Sequence, residues 1–296
     1  MAAEQAPMLR DVVEVESGRR RRIVSRVLQA SAYLLLIAGA ITMVTPLVWM
    51  VSTSLKTLID ANRYPPEWIP SEPQWSNYRD LFEQVPFARF IFNSFKVSVL
   101  AVAGQLVTTS MAGFVFARLK FRGRDVLFLL LIVTLMIPPQ VTLIPQYLIF
   151  RELGWVNTHL ALIVPFWFGG PFGTFLMRQY FMSIPQDLVD AARLDGCTPW
   201  RMYWQIFLPL AVPALAALSV FVFLERWNDL LQPLIYLNSI ELMTVTMGIS
   251  YFLGQYYADT PLLMAASCIG ILPTIAVFLI GQRYFIQGVV LSGLKG

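Results

Sequence analysis

Charged and redox-active side chains are scarce in this chain. Of its 296 residues, 14% are charged and 57% are apolar, whereas soluble globular domains are about a quarter charged. Cys197 and Cys268 are the only cysteines and His159 is the only histidine, so neither a disulfide framework nor a set of metal ligands can be built from them. The phosphate-binding pattern G-x-x-x-x-G-K-[ST] is also absent. We therefore expect no metal site, no nucleotide hydrolysis by a phosphate loop of this chain, and a helix-end position for His159.

Apolar residues are concentrated in six long runs. Each run is near the ~20 residues that a helix needs to cross ~30 Å of hydrocarbon. Buried core helices of a soluble protein are the alternative, but six such runs leave too little polar sequence to cover them. We therefore predict an all-α, polytopic membrane protein with six transmembrane helices. The runs are 27–53, 97–117, 126–150, 158–181, 204–224 and 262–284.

Basic residues indicate the orientation of these helices. The arginines at 19–22 precede the first run as in a secretory signal peptide, but the run is too long and lacks a small-residue cleavage site, so we predict an uncleaved span. If the N-terminus is cytoplasmic, most of the 22 Lys and Arg residues lie on the cytoplasmic side, which the positive-inside rule favours. Both termini are then cytoplasmic, with a basic tail (1–26) before a transmembrane domain (27–296). The topology accounts for the charge, so no nucleic acid partner is needed.

Two of the runs carry signals for packing and breaks. Gly104, Thr108 and Ala112 lie four residues apart in the second run, and small residues at this spacing let helices approach closely. In the third run a Pro-Pro pair follows Ile137 and predicts that the helix kinks or ends there. Such a break can line a binding site in a transporter or mark the outer end of the span, and both readings stay open.

Polar residues near the predicted outer ends of the helices are functional candidates. Lys96, Glu225 and Arg226 are explained at least as well by snorkelling or by mutual pairing. Trp227 and Asn228 follow directly, and an indole beside an amide could contact a sugar by stacking and hydrogen bonding. An aromatic anchor at the membrane interface is the alternative for Trp227, and composition does not separate the two.

The charged segment between the fourth and fifth runs, 183–203, is predicted to form two short helices. Ser183 and Gln186 have the spacing of a capping box and predict a helix start. Gly196 can adopt the left-handed conformation that ends a helix. Thr198 is a candidate N-cap for the second helix, with proline at its first position.

The first of these two helices has an unusual surface. Its centre is Ala191 and Ala192, and its polar face carries Asp187 and Asp190. A helix resting among lipid headgroups would have bulky apolar anchors and basic residues instead. We therefore interpret the helix as a docking element that fits a groove on another protein.

The same residues resemble a known motif. Asp190, Ala191 and Ala192 are followed after three residues by Gly196 and after nine more by the run 206–209, Ile-Phe-Leu-Pro. This pattern is similar to the cytoplasmic "EAA" loop of membrane subunits of binding-protein-dependent ABC importers, with aspartate in place of glutamate. The stretches "FNSFKVS", "FLERWNDLLQPL" and "RYFIQGVVLSGLKG" resemble carbohydrate-uptake permeases of the maltose and glycerol phosphate type.

The resemblance implies a type I ABC importer permease fold in a bacterial or archaeal cytoplasmic membrane. The chain would be a transport subunit without catalytic residues or a cofactor of its own, forming half of the pathway for a sugar or sugar derivative. Its partners would be a second homologous permease, two ATPase subunits that bind ATP and Mg, an extracytoplasmic solute-binding protein, and lipid. The residues implied in ATPase coupling are Asp187, Asp190, Ala191, Ala192, Gly196, Leu208 and Pro209, and candidates for the translocation pathway are Asn93, Ser94, Trp227 and Asn228.

Two alternatives remain, one from another transport class and one from the same class with a different substrate. A secondary transporter driven by an ion gradient would need carboxylates within the spans, and none lies centrally in the six runs, Glu225 being the nearest. An ABC permease for amino acids or peptides is not excluded by the docking loop.

Overall fold

The fold is all-α throughout the described residues. The computed structural model describes the backbone of residues 6–253 and 259–293 and the side chains of residue 26 and of residues 28–253 and 259–283. The α-helices of the first half are α1 (Ala6–Ser54), α2 (Leu58–Ala61), α3 (Ser76–Gln84), α4 (Phe87–Arg118), α5 (Arg124–Val133), α6 (Pro139–Glu152) and α7 (Leu160–Ile163). Those of the second half are α8 (Pro171–Ser183), α9 (Gln186–Leu194), α10 (Pro199–Met202), α11 (Leu208–Leu210), α12 (Val212–Trp227), α13 (Leu231–Tyr236), α14 (Val245–Tyr251) and α15 (Thr260–Gly293).

Short turns of other helix types join some of these elements. Three are 3-10 turns, at Thr134–Met136, Val164–Phe168 and Ile240–Leu242, and one is a π-helical segment, Tyr203–Phe207. Helix α1 begins at Ala6, so much of the predicted basic tail continues the helix of the first span. The first five residues of that tail lie outside the described residues.

Four apolar helical stretches are long enough to cross a membrane without a sharp bend. They are Leu28–Ser54, Phe87–Arg118, Leu160–Ser183 and Thr260–Arg283. Two further stretches are long and apolar enough only when two helices joined by a bend are counted as one span. The prediction of an all-α polytopic membrane protein is confirmed, with four to six spans among the described residues.

The third run breaks where its prolines predicted. Arg124–Met136 and Pro139–Glu152 meet at an angle of 101°, because Ile137 and Pro138 have extended backbone. Proline at the first position of α6 loses no helical hydrogen bond. The axes of the two halves are therefore nearly perpendicular, and α6 does not continue in the direction of α5.

The fifth run was predicted to be one helix, 204–224, and this is wrong. The chain bends by 74° between Pro199–Leu210 and Val212–Trp227. Pro213 has no N–H to donate to the carbonyl four residues earlier, so the helical ladder is interrupted at Ala211. Pro209 and Pro213 therefore lie on either side of a bend that divides an apolar run that looks continuous into a short helical stretch and α12.

Helix α4 lies at the centre of the bundle and packs on α8 and α12. A Cβ atom built at Gly104 would lie 1.8 Å from the indole of Trp167, whose Nε1 donates a hydrogen bond of 2.9 Å to the carbonyl of Leu100. A Cβ atom at Gly113 would lie 2.6 Å from Cβ of Met177 on α8. Gly104 therefore permits close packing, as predicted, and Gly113, which was not among the predicted residues, permits the close approach of α8.

Replacement of Gly113 by alanine is expected to destabilise the bundle by about 1–3 kcal/mol, as overpacking of a tight contact does. The added methyl group would meet Met177 and, at 2.9 Å, the backbone nitrogen of Arg178, and backbone cannot move aside as a flexible side chain can. The measurement is thermal unfolding of the purified protein in detergent. Gly39→Ala on α1 is the matched control, because nothing lies within 4 Å of its added methyl group; equal unfolding temperatures for both variants would contradict the close approach of α4 and α8.

Candidate functional site

Helix α9 starts differently from the sequence prediction. The helix begins at Gln186 after Pro185, and no side chain caps it. The Ser183 hydroxyl instead donates to the carbonyl of Tyr180 at 2.7 Å, because Ser183 is still the last residue of α8. The predicted capping box of Ser183 and Gln186 is therefore wrong: a local carbonyl acceptor one turn back in α8 takes the hydroxyl.

The other end of α9 closes as predicted. Gly196 has a φ of +73°, and its N–H donates to the carbonyl of Arg193 at 3.0 Å. The N–H of Cys197 donates to the carbonyl of Ala192 at 2.9 Å, and these two bonds form a Schellman motif. Thr198 then caps α10 by accepting from the N–H of Arg201 at 3.3 Å. The chain thus leaves α9 at a defined angle and starts the next helix at once.

The two central alanines of α9 differ in burial. Ala192 is 5% exposed and, with Val189, belongs to the apolar cluster that also includes Phe181 and Phe207. Ala191 is exposed. Ala192 therefore seats α9 on this chain's own core, and it is not part of the outward surface as the docking hypothesis assumed. The outward residues are Asp187, Leu188, Asp190, Ala191 and Leu194.

Arg118, the last residue of α4, fastens the start of α9. Its guanidinium donates to the carbonyls of Phe181 and Ile184 and to the side-chain oxygen of Gln186 at 3.0 Å. The guanidinium carbon also lies 5.0 Å from the ring centre of Phe207. In the sequence Arg118 contributed only a positive charge to the topology argument. Its partners are mainly backbone carbonyls. Every residue has a backbone carbonyl, so no sequence signal could have identified this role.

The acidic side chain of the motif, Asp190, is held along the helix surface. Its Oδ1 accepts from Gln186 Nε2 at 3.0 Å and from Arg193 at 3.3 Å. Both members of the ion pair are 56% exposed, and exposed pairs contribute little to stability, about 0–1 kcal/mol. The carboxylate is therefore oriented on the surface but remains accessible to another molecule.

Leu208 and Pro209 lie where the second helical segment turns into α12. Leu208 packs against the same apolar cluster as Ala192, whereas Pro209 is exposed. Both residues precede the bend at Ala211. They therefore connect the base of α9 with the long helix α12 rather than extending its outward surface.

Two of the predicted pathway residues hold a loop in place. Asn93 is 3% exposed and donates to the carbonyls of Glu241 and Met243 at 2.8 and 3.0 Å. Ser94 is 1% exposed, and its hydroxyl accepts from the N–H of Val245 at 2.8 Å. The hydrogen-bonding atoms of both side chains face α14 and the turn before it, so in this chain they do not line an open path.

The other two pathway candidates differ from each other. Trp227 is 2% exposed, stacks on Phe223 and donates from Nε1 to the carbonyl of Gly270 at 2.9 Å. It is thus neither an exposed stacking platform nor an interface anchor, because its tertiary contacts enclose the indole. Asn228 is exposed and donates to the carbonyl of Leu224 at 2.8 Å, which caps the end of α12.

A charged group lies beside these residues in a more open setting. Arg226 donates to Glu225 at 2.5 Å, to Asp229 at 3.2 Å and to Gln232 at 3.0 Å, and its guanidinium carbon is 4.0 Å from the ring centre of Phe166. The mutual pairing of Glu225 and Arg226 considered from the sequence is confirmed. These groups border a cleft of about 250 Å³ between the start of α6 and the end of α12.

His159 occupies the helix end expected for it. It precedes α7, and its Nε2 lies 2.8 Å from the carbonyl of Leu242. Burial lowers the pKa of the imidazole, so the ring is neutral and Nε2 is the donor to this carbonyl. Within the part of the chain that the structure describes, no group of three or more His, Cys, Asp or Glu residues could hold a metal ion.

Comparison with known proteins extends over most of the chain. A profile of the family described as "Binding-protein-dependent transport system inner membrane component" matches residues 109–290. The chain is 38% identical over 204 residues to the arabinooligosaccharides transport system permease protein AraQ of Halalkalibacterium halodurans, covering 69% of this chain and 73% of that protein. It is 32% identical over 264 residues to the sulfoquinovosyl glycerol transport system permease protein SmoH of Agrobacterium fabrum, covering 88% and 93%. The sn-glycerol-3-phosphate transport system permease protein UgpE of Rhizobium meliloti is 31% identical over 267 residues, covering 87% and 94%.

Solved structures share the fold. One is the crystal structure of a bacterial ABC transporter involved in the import of the acidic polysaccharide alginate, with a TM-score of 0.79 and 22% identity, covering 88% of this chain and 97% of that chain. Another is the bacterial alginate ABC transporter in complex with an alginate pentasaccharide-bound periplasmic protein, with a TM-score of 0.66 and 18% identity, covering 87% and 93%. At these identities the similarity establishes the fold alone.

Proposed function

The chain belongs to the family of binding-protein-dependent transport system inner membrane components, and from that premise we propose that it forms half of the pathway of an ATP-driven importer for a sugar or sugar derivative. It is a non-catalytic, multi-pass permease subunit of the bacterial inner membrane. This membership removes the ion-driven secondary transporter from consideration.

The observation that carries the proposal is the construction of α9. Its start is fastened by Arg118 and its end by the turn at Gly196. Between these two points its inner face packs on the chain's own core, and its outer face exposes Leu194, at 89%, and small or acidic residues. A short helix held this firmly but with an uncovered outer face is suited to insert into a cleft of an ATPase subunit.

Movement of α9 would reach the membrane spans through contacts already in place. Val189 and Ala192 pack in one cluster with Phe207, and the chain passes from Phe207 through Leu208 and Pro209 into α12. When ATP binding closes the ATPase subunits, displacement of α9 would change the bend at Ala211. Rigid movement of packed helices between two arrangements is a known form of such switching.

The partners follow from the same proposal. A second homologous permease would complete the pathway, and two ATPase subunits would bind ATP and Mg on the cytoplasmic side. A solute-binding protein would deliver the substrate from outside, and both termini of this chain would be cytoplasmic. The asymmetry of Lys and Arg supports this orientation.

The sugar class is supported by the relatives. AraQ, SmoH and UgpE are named for the transport of arabinooligosaccharides, sulfoquinovosyl glycerol and sn-glycerol 3-phosphate, respectively. These solutes share a polyhydroxylated skeleton and differ in charge. The alternative of an amino acid or peptide substrate has the support of the fold alone, since a methionine ABC transporter matches with a TM-score of 0.53 and 16% identity.

Replacement of the exposed Ala191 by leucine is expected to weaken retention of the ATPase about tenfold without lowering the thermal stability of the permease. A larger side chain would overpack the docking cleft, and overpacking costs about 1–3 kcal/mol. Purification through a tag on the permease identifies the associated chains and measures how much ATPase remains bound. The same complex is then assayed for ATP hydrolysis stimulated by sugar-loaded binding protein.

The neighbouring Ala192→Leu variant provides the contrast. Its side chain points into the core, so it is expected to lower the unfolding temperature of the permease. Retention of the ATPase at the wild-type level by Ala191→Leu would refute the docking surface, and a wild-type complex without any ATPase would refute the proposed function.

A further inference from the structure

The cleft beside Arg226 borders the break between α5 and α6. One wall is the start of α6, just after the 101° break, with Pro139, Gln140 and Leu143. The other wall is the end of α12 and the start of α13, with the charged group and Gln232. In transporters, ends of discontinuous helices commonly surround the substrate. The start of α6 at the cleft is one such helix end.

Charged groups in this cleft cannot face lipid. Glu225 has a side chain that is 63% exposed, and the side chains of Arg226 and Asp229 are 6% and 15% exposed. Exposure of a carboxylate to hydrocarbon is strongly unfavourable, so ionisable residues near membrane spans generally face water, protein or a pathway. The open side of Glu225 therefore faces an aqueous space, a polar ligand or another protein chain.

The charge of the cleft discriminates between classes of solute. The single guanidinium is already paired with two carboxylates, which leaves one negative charge uncompensated. Burial raises the pKa of Asp229, and protonation there would make the group neutral but never positive. An anionic solute needs an unpaired Arg or Lys for charge-assisted hydrogen bonds, so a phosphate, sulfonate or carboxylate would be repelled.

The remaining groups match a neutral sugar. The exposed carboxylate of Glu225 accepts hydrogen bonds from hydroxyl groups, and the amides of Gln140 and Gln232 can both donate and accept. The apolar rim of Pro139, Leu143 and Leu231 would contact the C–H faces of a ring. A cleft of about 250 Å³ is smaller than the ~300–1,000 Å³ of sites for drug-sized molecules, which suits one ring at a time.

We propose that this cleft, bordered by Glu225, Gln140 and Gln232, contacts one ring of an uncharged sugar during import and disfavours anionic sugar derivatives. This inference rests on the proposed function, because it places the cleft on the pathway of a sugar importer. Within the group of sugars and sugar derivatives, it assigns uncharged sugars as the substrates.

Occupancy of the cleft is measured without ATP hydrolysis by protection of a cysteine. Gln140→Cys is introduced into the Cys197→Ser and Cys268→Ser background, and the purified complex is treated with a thiol reagent in detergent. Arabinotriose, a neutral probe, is expected to slow the labelling about tenfold, whereas sn-glycerol 3-phosphate at the same concentration does not. Glu152→Cys at the other end of α6 is the control and is labelled equally with and without either probe.

Transport tests the contribution of Glu225. Glu225→Gln removes the acceptor charge and keeps the shape of the side chain, so uptake of arabinotriose into proteoliposomes is expected to fall about tenfold, as loss of a hydrogen bond to a charged group predicts. Glu152→Gln, which also neutralises an exposed glutamate of an ion pair, should transport at the wild-type rate. Selective protection together with selective loss of uptake supports the inference.

Three results overturn it. Equal uptake by Glu225→Gln and wild type removes the role of the cleft, and protection by sn-glycerol 3-phosphate removes the neutral class. Labelling that neither probe affects, in a complex that still imports arabinotriose, means that another chain occupies the cleft. A different result would show that the proposed function itself is wrong. The wild-type complex would then show no sugar-dependent ATP hydrolysis with any binding protein.

Discussion

Replacement of Gly196 by valine is expected to reduce sugar uptake about tenfold or more while the permease still inserts and assembles. Gly196 has a φ of +73°, and a left-handed backbone costs an L-residue about 1–2 kcal/mol, with more strain for a β-branched side chain. Relief of that strain would open the Schellman motif and change the angle at which the chain leaves α9. ATP hydrolysis would then continue with little transport. The two rates are measured together in proteoliposomes.

The backbone, and not a clash, is responsible for this effect. Nothing lies within 4 Å of a Cβ atom built at Gly196, so Gly196→Asn should retain most of the transport because asparagine tolerates the left-handed conformation. Gly123 has a φ of +86° and equally open surroundings in the turn between α4 and α5. Gly123→Val is therefore the matched control, strained alike but away from α9, and it should leave coupling intact. Wild-type coupling in Gly196→Val would refute the role of this turn.

Replacement of Arg118 by alanine is expected to have the second large effect, a loss of both ATPase retention and transport. The guanidinium holds two carbonyls at the end of α8 and the side chain of Gln186 at the start of α9. Loss of these charge-assisted bonds at a partly exposed site costs about 2 kcal/mol, and it frees the start of α9 from α4. Co-purification of the ATPase and binding-protein-stimulated hydrolysis measure the loss.

Two substitutions test whether geometry or charge is decisive at this position. Arg118→Lys retains the charge but cannot direct several N–H groups at three acceptors, so it should recover only part of the activity. Lys120→Ala removes an exposed positive charge two residues away and should behave as wild type. A fully active Arg118→Ala variant would show that α9 keeps its position without the guanidinium.

Local signals in the sequence anticipated much of the local structure of residues 183–203. Gly196 and Thr198 were identified correctly because the capping of a helix end is decided within a few residues. The break after Ile137 was also correct, since a Pro-Pro pair has the same local effect in any fold. Ser183 was misassigned because its hydroxyl donates to the carbonyl of Tyr180 in α8 instead of accepting from a backbone N–H at the start of α9.

Residue type alone misled the prediction of the outer pathway. Asn93, Ser94 and Trp227 have side chains that bind sugars, yet their donors and acceptors are used by the carbonyl of Gly270 and by the backbone of residues 241–245. Glu225 and Arg226 pair with each other, as considered from the sequence, and they also border a cleft. An amide, hydroxyl or indole group can hydrogen-bond either to a loop of its own chain or to a ligand. Which of the two it does depends on whether a backbone carbonyl or N–H of the folded chain lies within reach of it.

By itself, the sequence determined the class of this protein. Apolar runs of membrane length, the asymmetry of basic residues and the spacing of the motif at 190–209 are properties of the chain that hold before it folds. They identified a polytopic permease and predicted a coupling helix. The tertiary structure alone decided which alanine of that motif is exposed, that Arg118 secures α9, and that a charged cleft lies between the start of α6 and the end of α12. These outcomes depend on contacts between residues far apart in the chain. The spacing of residues along the sequence does not show which distant residues will be neighbours, so it cannot give the energies of their contacts.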